Sequence, residues 1–173
     1  ISSSLLAEFL AGPMRGVEDI VFAARGVNQT DGHWYANFGY YAADPNRKAY
    51  GIGGKLYRLN LRTRQLTTLL ADAKGGVRDP QVSYDGRKVL FSFRPGGTEH
   101  YHLYELDLEA ARAFGPRNTD HGTTIDATPH SALRTPHLKQ LTSGPYDDLE
   151  PTYLPDGGII FVSSRCKRWV NCW

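Results

Sequence analysis

Two cysteines, Cys166 and Cys172, flank five residues in RCKRWVNCW and are the only thiols in the chain. A pair so spaced can close a short disulfide loop in an oxidising compartment. It can also offer thiolates to a soft metal such as zinc or copper, or remain as unpaired structural thiols, and the spacing leaves all three open. Upstream, PYDDLE places Asp147, Asp148 and Glu150 together. Such carboxylates supply hard oxygen ligands for a cation, or accept backbone N–H groups and pair with the arginine of a neighbouring repeat unit, one of Arg25, Arg94 and Arg165 that share their face. A third group is aromatic: His33, Trp34 and Tyr35 open HWYANFGYY, with Phe38, Tyr40 and Tyr41 following. That loop suits a ligand wall, or a surface that stacks on a sugar or a partner, because aromatic rings give large contact area at low entropic cost. It also suits a loop that carries its own small core. His121, His130 and His137, near Asp120 and Asp126, follow no metal-ligand spacing. The chain has no G-x-S-x-G, no phosphate-binding Gly-rich loop and no H-E-x-x-H.

These residues hang on a sequence that repeats itself. DPQVSYDGRKVLFSFR at 79–94 returns as EPTYLPDGGIIFVSSR at 150–165. Each copy reads acidic residue, Pro, a short extended run, Asp-Gly, then an apolar run ending in Arg. Asp-Gly between apolar runs predicts a β-hairpin closed by a type I′ turn. LYELDL at 103–108 echoes LYRLNL at 56–61, KQLTSG at 139–144 echoes RQLTTL at 64–69, and IVFAAR at 20–25 echoes VLFSFR. One unit is therefore four antiparallel strands: an inner strand at Gln81 to Tyr84, a strand at Lys88 to Phe93, the Leu-Tyr strand, and an outer strand from Leu138. Four-stranded units that must stack to bury their faces define a propeller blade. The expected fold is all-β: a partial β-propeller of two to three blades within one domain, 1–173, with blade strands at about 18–71, 79–144 and 150–165. Asp85 and Asp156 lie 71 residues apart, more than the roughly 40–50 of an ordinary blade. Insertions at 26–54 and 109–137 absorb the excess. Because strands alternate direction, the first insertion should share one end of the sheets with the blade-connecting loops, the acidic cluster and the cysteines. The second should project from the other end.

Composition agrees with a turn-rich globular chain: 40% of residues are apolar, with 18 Gly and 10 Pro. Twenty basic against 18 acidic residues, without a basic run, argue against nucleic acid as a partner. No apolar run reaches the length of about 18 residues that a membrane span needs. SSSLLAEFLAG at the start reads as a domain edge with one helical turn. The strand count, three in a first blade, four in a second and two in a third, implies a polypeptide that continues in both directions. End strands left unpaired predict a chain that is poorly stable or self-associating.

The Leu-Thr, acid-Pro, Asp-Gly and Leu-Tyr pattern resembles the TolB-like propeller repeat. Over roughly 18–173, DGHWYANFGYYAADPNRKAYG, KGGVRDPQVSYDGRKVLFSFR, YHLYELDL and LTSGPYDDLEPTYLPDGGIIFVSSRCKRWVNCW resemble the N-terminal propeller region of hydrazine synthase alpha subunit-like proteins. The resemblance implies a periplasmic or otherwise extracytoplasmic scaffold or binding domain. Its partners would be neighbouring domains or another protein. It also implies c-type haem, or a metal ion, in domains beyond these residues; no Cys-x-x-Cys-His occurs here. Two alternatives stand beside the scaffold: a share in a haem- or metal-dependent oxidoreductase, and carbohydrate or small-molecule binding through the aromatic loop. The candidate ligand-binding residues are His33, Trp34, Tyr35, Arg94, Asp147, Asp148 and Arg165, with Cys166 and Cys172 as candidate metal ligands.

Overall fold

The computed structural model describes residues 3–12, 14–26, 40–41, 44–48, 51–113 and 137–166. The chain is built from antiparallel sheets. After a helix α1 (Ser3–Ala11), the first sheet has the order β1 (Asp19–Ala24), β4 (Gly54–Asn60), β5 (Leu66–Asp72). The second sheet has the order β6 (Gly76–Val82), β7 (Lys88–Arg94), β8 (His102–Asp107), β9 (Leu138–Gln140). The third pairs β10 (Asp148–Tyr153) with β11 (Ile159–Ser163). Within the first insertion, β2 (Tyr40–Tyr41) pairs with β3 (Asp44–Lys48). Among the described residues no helix is long and apolar enough to cross a membrane.

The two copies of the hairpin share their irregularities. Asp79 and Glu150 both take left-handed backbone, with φ of 55° and 52°. Each precedes a proline and each sits where the ladder skips, between Arg78 and Gln81 and between Leu149 and Thr152. Proline has no N–H to give the ladder, so the strand bulges there; the short side chain of Asp79 tolerates the positive φ, whereas Glu150 holds it without that advantage. The inner strand accordingly begins at Gly76, five residues before the expected Gln81, and ends at Val82 because Ser83 and Tyr84 enter the turn. The turn is not type I′. Gly86 and Gly157 have positive φ, 71° and 86°, while Asp85 and Asp156 do not. Gly86 N–H donates to Ser83 C=O at 2.8 Å and Gly157 N–H to Leu154 C=O at 3.0 Å, which is a type I turn completed by a left-handed glycine.

The copies differ by one residue. Ser83 N–H closes the first hairpin on Lys88 C=O, whereas Leu154 N–H closes the second on Gly158 C=O. Beyond the turn, Val89 therefore corresponds to Ile159, Leu90 to Ile160, Phe91 to Phe161 and Ser92 to Val162. The core follows from alternation along these strands. Val89, Phe91 and Phe93, all fully buried, pack with Tyr104 and Leu106 against Leu56, Leu70, Val21 and Ala23 of the first sheet. Leu90 and Ser92 point the opposite way and are also fully buried, on the side where β10 lies against β6 and β7. A Cβ at Gly76 would overlap the Tyr101 hydroxyl, so any larger residue there would have to displace that ring.

Two elements depart from expectation. The N-terminal segment forms nine residues of helix, longer than the single turn expected. The second insertion opens with a helix, α2 (Leu108–Ala113). Asp107 caps it, its Oδ1 accepting the N–H groups of Glu109 and Ala110 at 2.9 Å each.

Candidate functional site

At the end of the sheets where β7 finishes and β8 and β10 begin, three segments meet: residues 98–102, residues 144–148, and the 3₁₀ turn Ser164–Cys166 that follows β11. Asp147 and Asp148 form the junction and are buried at 1% and 0% exposure. Asp147 Oδ1 accepts Tyr101 N–H at 2.7 Å, and Asp148 N–H donates to Tyr101 C=O at 2.9 Å. Ser164 completes the clamp: its hydroxyl accepts Asp147 N–H at 2.9 Å and its N–H donates to Asp147 C=O at 2.9 Å. At this end Tyr101, beside the second sheet, is thus stitched to both Asp147 and Asp148 of the third.

Arg165 holds Asp148. Its Nη2 donates to both carboxylate oxygens at 2.9 Å, and its Nε donates to Ser163 Oγ at 2.7 Å. The guanidinium lies over the Tyr146 ring at 4.5 Å, a cation–π contact. Arg94 joins the same end through Tyr101. It lies 5.7 Å from that ring and donates to the carbonyls of Thr98 at 3.2 Å and Gly51 at 3.4 Å. Gly51 belongs to the first insertion, so the described end of that insertion reaches this face.

Two histidines complete the cluster. His100 Nδ1 faces Asp147 Oδ2 at 3.7 Å, and His102 Nδ1 faces Asp148 Oδ2 at 4.0 Å. Asp147 Oδ2 is buried without a hydrogen bond. Burial pushes the Asp147 carboxyl up to about 6, the Asp148 charge adds to the rise, and the Tyr101 N–H opposes it. Burial pushes His102 down, against the pull of Asp148 and with the push of Arg165. Among the described residues no three His, Cys, Asp or Glu side chains converge as metal ligands. The hydrogen-bonding capacity of Asp148 goes largely to Arg165, and half of that of Asp147 goes to backbone.

The structure therefore brings Arg94, Asp147, Asp148 and Arg165 together. Arg25 is exposed. Cys166 is exposed, its Sγ 3.9 Å from Ser163 C=O. His33, Trp34, Tyr35, Cys172, His121 and His130 lie outside the described residues. His137 lies at the far end of β8, where its C=O accepts Asp107 N–H at 2.9 Å. The acids were expected to pair with arginines of a neighbouring unit, yet Asp148 pairs with Arg165 of its own hairpin. The pairing across sheets is Arg78 with Glu150, at 3.4 Å. Arg78 is 1% exposed and also donates to Asp79 Oδ2 at 2.6 Å. Sequence reasoning passed over Arg78, His100 and His102. The alternation His100-Tyr101-His102 at the mouth of the Leu-Tyr strand was the available signal for the last two.

No family model matches this chain, and no curated protein matches it. Among solved structures, hydrazine synthase from Kuenenia stuttgartiensis is similar at 17% sequence identity and a TM-score of 0.47, over 84% of this chain. The match spans 16% of the length of that chain. A likeness at this level is one of shape. It assigns no activity and no role to any residue.

Proposed function

We propose that this chain is part of an extracytoplasmic TolB-like β-propeller, serving as the scaffold or binding domain of a larger hydrazine synthase alpha-like protein. The observation that carries the reading is the recurrence of one hairpin, with its acid-Pro bulge and left-handed glycine, in two sheets that stack in the same sense. Its working face is the end holding Arg94, His100, His102, Asp147, Asp148 and Arg165. A scaffold role is supported by how these groups are spent: the acids join sheets and the arginines fix the acids and nearby carbonyls. In the natural polypeptide, Arg165→Ala should lower the melting temperature and leave metal and haem content, read by elemental analysis and absorbance, unchanged. Loss of a stoichiometric metal or haem in that variant would overturn the scaffold reading in favour of a redox centre.

A further inference from the structure

We infer that Asp147 is a proton-operated latch: it closes one end of the junction between the second and third sheets while it carries a proton, and loosens that end when it ionises. Two hydrogen bonds cross the junction there. Asp147 Oδ1 accepts Tyr101 N–H at 2.7 Å, and Asp148 N–H donates to Tyr101 C=O at 2.9 Å. Within the third sheet's own hairpin, Ser164 fixes the Asp147 backbone through both its hydroxyl and its N–H. Asp147 Oδ2 takes part in none of this. It is buried without a hydrogen bond, on a residue 1% exposed, and a negative charge held there is cut off from water.

The charges around Asp147 do not compensate it. Arg165, in the turn after β11, gives Nη2 to both oxygens of Asp148 at 2.9 Å, and among the described residues no Arg or Lys pairs with Asp147. Asp148, its chain neighbour, adds a like charge. From residues 98–102, His100 Nδ1 faces Asp147 Oδ2 at 3.7 Å and His102 Nδ1 faces Asp148 Oδ2 at 4.0 Å. A proton on Oδ2 therefore removes a buried charge and supplies a donor facing the His100 ring nitrogen. Burial holds this carboxyl at about 6, against 3.8 for an ordinary aspartate, so the closed end binds a proton that the opened end releases. The latch is tight below about 4 and loosened above about 6. His102 opposes it, because burial keeps that imidazole neutral and acid that charges it favours opening.

Hydrogen exchange of the whole chain, resolved residue by residue, tests the latch. The Tyr101 and Asp148 amides report opening of this end, and the amides of β7 are the control for the rest of the fold. The comparison is wild type against Asp147→Asn, which keeps an acceptor for Tyr101 N–H and is neutral at every pH. The variant's reporters should be protected about as well as those of wild type at pH 4 and about 10-fold better at pH 7. Tenfold per pH unit between 3.8 and about 6 sets a ceiling of about 100-fold, and a loosened end returns the carboxyl only partly to water. The contribution of His102 is common to both proteins and drops out of their ratio. A ratio that does not change with pH, or reporters less protected in the variant than in wild type at pH 7, would overturn the latch and leave Asp147 a fixed tie. Should Asp147→Asn fail to fold, carbon-13 titration of the Asp147 carboxyl in wild type decides: a midpoint near 6 supports the latch, and one near 3.8 overturns it.

Discussion

The hairpins β6–β7 and β10–β11 carry the same sequence pattern and the same backbone irregularities, yet their surroundings differ. In the first, Val89 to Arg94 are all buried. In the second, exposure alternates along β11. Local sequence writes the bulge and the turn, while burial depends on which sheets lie on either side. The starts of the hairpins differ as well. Where the first has Gly76-Val77, packed beneath Tyr101 and in the core, the second has Asp147-Asp148, which reach the backbone of Tyr101 and the side chain of Arg165. One position in the repeat thus serves as apolar packing in one copy and as a polar clamp in the next.

The largest expected effect separates the two hairpins by burial. Phe91→Ala should cost about 3–5 kcal/mol in chemical denaturation, as for a fully enclosed aromatic ring. Phe161→Ala, its counterpart, should cost about half as much, since that ring is only partly buried. Equal losses would mean that the second hairpin is covered as completely as the first.

Next in size is Arg78→Leu, which gives the first hairpin the residue that Leu149 supplies in the second. It should cost about 2 kcal/mol. That is below the range for breaking a buried ion pair, because Glu150 is 56% exposed and Asp79 20% exposed, so both acids can turn to water. The double variant Arg78→Leu with Glu150→Gln should cost little more than the single one. A fully additive loss would show that Glu150 does not act through Arg78.

The smallest effect is a slope with pH. The folded Asp147 carboxyl holds its proton up to about 6, against 3.8 for an ordinary aspartate. The folded state therefore binds more protons than the unfolded one between these values, and this residue makes stability fall as pH rises from about 4 to 6. His102, pushed below 6.5, works the other way: it makes stability rise as pH climbs towards its ordinary value. Asp147→Asn should remove the falling limb and leave the rising one in denaturation curves taken from pH 4 to 7. An unchanged profile would mean that Asp147 is not a buried acid.

The all-β class, the hairpins and the order of the four strands in the second sheet were legible because Asp-Gly turns and alternating apolar runs act over a few residues. The one-residue shift in β11 was not. Aligning on Asp85-Gly86 and Asp156-Gly157 sets Arg94 beside Arg165, and the shorter second loop is visible only in which carbonyl closes it. The burial of Arg78 was hidden for a similar reason, since a lone Arg before Asp-Pro reads as a solvated charge until the third sheet brings Glu150 across it. At the candidate site the acids and arginines were named from sequence, whereas the histidines that face the acids come together only through the meeting of β8 with β10.

The central claim is that successive sheets face the same way, with Val89 and Phe91 turned to the first sheet and Leu90 to the third. Nuclear Overhauser contacts among labelled methyl and aromatic groups of the whole chain test it directly. The account predicts contacts from the Val89 methyls and the Phe91 ring to Leu56 or Leu70, and from the Leu90 methyls to β10. The reverse pattern, with Leu90 against Leu56 and Val89 against β10, would place the strand one residue out of register and turn every side chain to the other face.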